Sequence, residues 1–223
     1  MINFAELRRG MVDSQVRAND VTDHRIVTAM MEIPREEFVP AGLRSLAYID
    51  DDLVIRLAGA AGGPRYMMEP MCLARLVQLA DVQPKDYVLD VGVGTGYAAA
   101  LLSRLAQQVV AVEEDPELAA AAEANLGRHG VGNVAVMQGP LAAGWAADGP
   151  YDVIFLNGSV DEVPAALGAQ LKDGGRLIAV VGRGGAGRAS VFTKVAGALS
   201  ERIAFNAAVP ALPGFEKAAG FVF

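Results

Sequence analysis

Three alternating glycines interrupt an apolar run at Asp86-Tyr-Val-Leu-Asp-Val-Gly-Val-Gly-Thr-Gly-Tyr97, and no other stretch narrows the possible folds of this chain so far. Tyr87 to Val91 is short, β-prone and mostly apolar, as a buried strand requires, and Ala98 to Leu105 follows with a helical pattern. The reading is strand, glycine turn, helix. Gly92, Gly94 and Gly96 tolerate positive φ and carry no side chain to block a ligand lying over the turn. The helix start beyond them offers unpaired N–H donors and the positive end of a helix dipole.

The spacing is G-x-G-x-G, whereas dinucleotide loops follow G-x-G-x-x-G, and Tyr97 stands where the third glycine of that pattern falls. A pyrophosphate cofactor is therefore disfavoured. S-adenosylmethionine carries an adenosine and an amino-acid zwitterion without phosphate, and a loop led by an acid, here Asp90, suits it. The next unit points the same way, because Gln108-Val-Val-Ala-Val-Glu113 reads as a second strand ending in an acid about 20 residues beyond the loop. Glu113 is placed to accept hydrogen bonds from ribose hydroxyls. Glu114 and Asp115 are read instead as the solvated start of a helix with Pro116 at its first position.

Composition removes several function classes. At 223 residues the chain is long enough for one main domain with a sizeable core. No purely apolar run reaches the roughly 18 residues of a membrane span, and the N-terminus lacks the basic-then-apolar order of a signal peptide. A soluble, cytoplasmic protein is expected. The net charge of −7, with no block of Lys or Arg, leaves no electrostatic footprint for nucleic acid or an anionic membrane. His24 and His129 are the only histidines and lie far apart, so neither a metal cluster nor a nucleophile triad is expected. The single cysteine, Cys72, sits in an apolar helical pattern and reads as core.

In chain order, Met1 to Arg17 and Arg25 to Met31 read as helices, and Pro34 to Pro40 as a turn. Gly42 to Gly63 is irregular, with a short strand at Leu53 to Ile55. Glu69 to Val82 is helical and ends before Pro84. Thereafter strands and helices alternate, with strands at Asn133 to Met137, Tyr151 to Leu156 and Arg176 to Val181, helices at Glu117 to Leu126 and Pro164 to Leu171, and a closing antiparallel pair between Ser190 and Val209. This predicts an α/β, Rossmann-like doubly wound sheet with its ligand at the carboxyl ends of the strands. Residues 1–70 form an N-terminal helical cap with a substrate segment, and 71–223 the cofactor-binding domain, as one structural unit. The glycines at 182, 184, 185 and 187 read as a hairpin turn, since no Gly-Lys-Ser/Thr follows them.

Over nearly its whole length the chain resembles the protein-L-isoaspartate O-methyltransferase family. The matching pieces are Met30-Met-Glu-Ile-Pro-Arg-Glu-Glu-Phe-Val-Pro40, Ala47-Tyr-Ile-Asp50, Val88 to Tyr97, Glu113 with Pro116-Glu-Leu118, Tyr151-Asp152, Val163-Pro164 and Leu171-Lys-Asp-Gly-Gly-Arg-Leu177. The Pro34–Pro40 piece is the most specific of them. The resemblance implies a seven-stranded methyltransferase sheet, mostly parallel with an antiparallel C-terminal pair. It implies S-adenosylmethionine-dependent methyl transfer to a protein or peptide carboxylate in protein repair, with S-adenosylhomocysteine as product. A monomer or homodimer is expected, with neither nucleic acid nor membrane as partner.

The chain also departs from the family pattern. The family's Thr-Ile-Ser-x-Pro substrate segment is here Tyr66-Met-Met-Glu-Pro70, so Tyr66 replaces the Thr and Met68 the Ser. The Gly-Asp-Gly that holds adenine is here Gly139-Pro140-Leu141, and a Thr-Ala-Ala stretch is Asn157-Gly-Ser159. The expected cofactor residues are Asp90, Gly92, Gly94, Gly96, Glu113 and Gly139; Arg65, Tyr66, Glu69 and Asn157 are expected around the acceptor. No catalytic acid or base is assigned. Trp145, the only tryptophan, falls on the loop after the third strand, to pack in the core, the reading preferred, or to cover the adenine face.

Overall fold

The structure, a computed structural model, describes residues 2–59 and 62–217. A seven-stranded sheet carries the chain, in the order β5-β4-β3-β6-β7-β8-β9. Its strands are β3 (Tyr87–Val91), β4 (Gln108–Glu113), β5 (Val134–Gln138), β6 (Tyr151–Val160), β7 (Leu171–Val181), β8 (Arg188–Val195) and β9 (Ala198–Asn206). β3 to β7 pair in parallel, while β7–β8 and β8–β9 are antiparallel. The mostly parallel sheet with an antiparallel C-terminal pair is therefore present as expected.

The side chains of these strands divide by the period of two. Val88, Val109, Ala111, Val153 and Phe155 enter one core; Leu89, Val91, Val110, Val112, Ile154 and Leu156 enter the other. Burial on both faces is why the strands read as continuous apolar runs rather than alternating ones. The first core is closed by α3 (Pro70–Ala80), α4 (Tyr97–Ser103) and α5 (Pro116–Arg128), and by residues of α1 (Phe4–Met11) and α2 (His24–Glu32). On the second, Leu167 of α6 (Ala165–Ala169) packs together with Leu212 and Phe215.

Local chemistry sets the helix ends. Asp115 caps α5 by accepting from the amides of Glu117 and Leu118, with Pro116 at the first position. Asp23 caps α2 by accepting from the Arg25 amide. α3 stops at Asp81, which turns left-handed with φ 46°, so the helix ends before Pro84 is reached. α1 continues through a π turn, Val12–Val16, and a 3₁₀ turn, Arg17–Asn19.

One element departs from expectation. Arg65–Met67, read as a loop entering a helix, is a strand, β2, antiparallel to β1 (Leu53–Arg56). Three residues give no periodic signal, and the strand exists because β1 offers its backbone groups as partners.

The chain runs β3 to β4 to β5 outward, then crosses back to place β6 on the other side of β3. The crevice of a doubly wound sheet lies at this reversal, outside the carboxyl ends of the strands.

Candidate functional site

Register brings the expected residues together at that reversal. Val91 pairs with Val112 on one side and with Leu156 on the other. The next positions along the three strands are Gly92, Glu113 and Asn157, so they stand side by side at the tips. Glu113 in turn pairs with Gln138, which puts Gly139 at the tip of β5.

The three glycines all have positive φ, at 83°, 57° and 99° for Gly92, Gly94 and Gly96, but each faces something different. A Cβ on Gly96 would meet the α5 backbone at Ala122, 3.3 Å away, so this glycine lets helix and turn pack closely. On Gly94 it would stand 2.8 Å from Ile55 Cδ1, and on Gly92 2.6 Å from Leu212 Cδ2. Side chains of this protein lie over both.

Glu113 is fully buried, and its carboxylate is saturated. Oε1 accepts from Arg65 at 2.5 Å and from the amides of Glu114 and Asp115 at 3.0 and 3.2 Å; Oε2 accepts from Arg65 at 2.9 Å and from the Gly94 amide at 2.8 Å. Arg65, expected near the acceptor, thus forms a two-pronged ion pair with the residue expected to hold ribose. Asp115 caps α5 and lies 2.6 Å from Arg56 Nε, an ion pair that holds β1 to the tip of β4.

Asp90 is also fully buried, and neither carboxylate oxygen has a hydrogen-bond partner among the described residues. Burial, reinforced by the charge of Glu113, pushes its carboxyl up to about 8. An orphaned pair of acceptors beneath a glycine turn is what a cationic ligand group would relieve.

The Gly139 amide donates to the Glu113 carbonyl at 3.0 Å, and the Trp145 ring lies 3.2 Å from where a Cβ on Gly139 would stand. Trp145 is half-buried and packs against the second core while its ring edges the Gly139 turn. Pro140 leads into a 3₁₀ turn, Leu141–Ala143, and brings no donor or acceptor side chain to the turn.

On the acceptor side, Tyr66, Met68 and Asn157 line one small cavity with Ile55, Thr95 and Tyr97. It offers about 10 Å³, enough for one water. Glu69 lies off this cavity at the cap of α3, where its amide donates to Asp52 at 2.9 Å. Burial and then the charges of Asp52, Asp50 and Asp51 push its carboxyl up to about 7. Sequence reasoning gave no role to Arg35, Ile55, Thr95 or Leu212. The first lay within a motif already singled out; the others carried no local signal.

The sequence model of the protein-L-isoaspartate(D-aspartate) O-methyltransferase family matches residues 8–211. The chain belongs to this family. It is similar to the protein-L-isoaspartate O-methyltransferase of Koribacter versatilis, 41% identical over 182 residues that cover 82% of this chain and 79% of that one. It is similar also to that of Rhodopseudomonas palustris, 41% identical over 172 residues, covering 77% and 76%. A solved protein-L-isoaspartate O-methyltransferase superposes with a TM-score of 0.80 at 31% identity, over 93% of this chain and 66% of that one, just under two thirds of its length. A Plasmodium falciparum protein crystallised with S-adenosyl-L-homocysteine shares the fold, with a TM-score of 0.75 at 18% identity.

The family is one of S-adenosylmethionine-dependent methyltransferases, and the donor set here fits that cofactor. A left-handed glycine turn, the unpartnered Asp90, and Glu113 level with Gly92 are chemically suited to its cationic and hydroxyl groups. The space over these groups is held by Arg65, Ile55 and Leu212.

Proposed function

We propose that the protein is an S-adenosylmethionine-dependent O-methyltransferase that methylates a carboxylate of a protein or peptide acceptor, isoaspartyl residues being the acceptor class. The observation that carries this is the placement of Glu113, Gly92 and Asn157 side by side at the chain reversal of a family sheet. The cofactor, when bound, supplies an electrophilic methyl group. Gly92 and Gly94 give it an approach, Asp90 and Glu113 face its polar groups, and Gly139 with Trp145 edges the pocket. Tyr66, Met68 and Asn157 wall the acceptor side.

The protein's task is orientation and exclusion of water. A carboxylate is ionised at neutral pH and needs no general base, and positioning alone can supply roughly 7–11 kcal/mol. We place its action in the cytoplasm, as a monomer or homodimer. The test is transfer of labelled methyl from S-adenosylmethionine to an isoaspartyl peptide, with the aspartyl peptide as control. Label confined to the isoaspartyl peptide supports the proposal. Calorimetric heat with NAD and none with S-adenosylhomocysteine overturns it.

A second reading, a different acceptor, is favoured by one observation. The buried Met68 side chain lines the cavity at the position where the family pattern has a serine.

A further inference from the structure

The carboxylate assigned to ribose accepts five hydrogen bonds, two of them from Arg65. A carboxylate offers about four lone-pair sites, so no incoming hydroxyl can bond Glu113 until Arg65 leaves. Buried bidentate pairing of this kind is among the strongest side-chain contacts.

The second obstruction comes from the other end of the chain. The Ser159 amide donates to the Pro210 carbonyl at 2.9 Å, and the Leu212 amide donates to the Ser159 carbonyl at 2.8 Å. These two bonds lay residues 210–212 alongside the tip of β6, with Ser159 bridged in parallel to Ala211. The segment then crosses the strand tips toward Glu114, and Phe215 anchors it in the second core. Leu212 is driven into the space that two glycines leave open: its Cδ2 lies 2.6 Å from a Cβ built on Gly92, and its Cγ 2.8 Å from one built on Gly158. Arg65 Nη2 approaches the same Gly92 position to 3.6 Å.

A place exists for the displaced arginine. On its outer side lies a cleft of about 280 Å³ lined by Glu114, Glu216, Leu212 and Pro213, and neither glutamate forms an ion pair among the described residues. Arg65 can exchange one carboxylate partner for another without crossing the core.

We propose that Arg65 and the segment Pro210–Phe215 form a self-blocking closure of the cofactor site, latched on Glu113 and plugged over Gly92, which the cofactor must displace in order to bind. This rests on the cofactor reading above. A protein that binds only from a minor open population shows an affinity reduced by that fraction, so weakening the closure tightens binding.

The test is titration with S-adenosylhomocysteine, read by calorimetry and by the fluorescence of Trp145, of the wild type, Leu212→Ala, Phe215→Ser and Arg65→Gln. Each variant that melts cooperatively should bind about tenfold more tightly than the wild type. Hydrogen exchange supplies a readout without any variant: the Ser159 and Leu212 amides, protected in the free protein, should lose protection at saturating ligand. Unchanged affinity in the folded variants, with both amides still protected at saturation, overturns the closure. If no form binds at all, the cofactor reading itself fails and the closure falls with it.

Discussion

The guanidinium of Arg35 lies 4.9 Å from the centre of the Tyr97 ring, in a position with no solvent exposure. Its Nε donates to the Ala47 carbonyl and its Nη2 to the Met68 carbonyl, each at 2.7 Å. One side chain thus joins three segments: the loop after α2, the strand that walls the acceptor cavity, and the first residue of α4 behind the glycine turn. This gives a physical reason for the Arg in Pro34-Arg-Glu-Glu-Phe-Val-Pro40.

Arg35→Lys keeps the charge but cannot reach both carbonyls with a planar fork. Hydrogen bonds from a charged group contribute roughly 1.5–3 kcal/mol each, so a loss of about 2–4 kcal/mol is expected. In a domain of this size that lowers Tm by roughly 4–16 °C. A thermal melt within a degree of wild type would show that Arg35 is not the joint.

Glu113→Ala removes one member of a buried ion pair and strands Arg65. Sequence reasoning allowed the carboxylate to be exposed without ligand and the substitution to cost little; its complete burial reverses that expectation. The loss should be about 3–5 kcal/mol in urea denaturation, with S-adenosylhomocysteine binding lost as well. Glu114→Ala, one residue on and half-buried, should change stability by no more than about 0.5 kcal/mol. Equal losses from the two would refute the role given to the Arg65–Glu113 pair.

The sheet was legible because a strand buried on both faces writes itself as an apolar run. Gln108–Glu113 was bounded correctly at both ends by a polar residue and an acid. What sequence could not show was pairing at a distance. Arg65 and Glu113 are 48 residues apart, and nothing local distinguishes Arg65 from any arginine entering a helix. Leu212 sits in a Pro-Gly-rich tail whose course depends on two backbone bonds to Ser159. Trp145 was offered two roles as alternatives, yet a large ring at a loop edge packs with its inner side while its rim borders the Gly139 turn.

Asp90 makes stability depend on pH. Its folded value, about 8, lies above that of an unfolded aspartate, so between about pH 4 and 8 the native state holds a proton that the unfolded chain has released. Stability therefore falls as pH rises through this window, by up to about 1.4 kcal/mol per unit. Asp90→Asn should flatten the fall between pH 5 and 8 in urea midpoints. Glu69, raised to about 7, adds a slope of the same sign that persists in both proteins and leaves the difference intact. Identical slopes would exclude Asp90 as the titrating group.

The acceptor cavity yields the last prediction. Small hydroxyl donors at the two positions of the substrate segment would face an isoaspartyl carboxylate, whereas here Tyr66 and the buried Met68 line a space of about 10 Å³. Met68 cannot donate a hydrogen bond, and its side chain takes volume the acceptor needs. Two contacts of roughly 1.5–3 kcal/mol to a charged group correspond to about two to four orders of magnitude in turnover. Wild-type methylation of an isoaspartyl peptide is therefore expected to be weak, and to rise in the Tyr66→Thr/Met68→Ser double variant. The comparison is initial rates of methyl ester formation on isoaspartyl and aspartyl peptides with both proteins. High wild-type rates confined to the isoaspartyl peptide, unimproved by the double variant, would mean that backbone groups and Asn157 hold the carboxylate and that the lost hydroxyls do not matter.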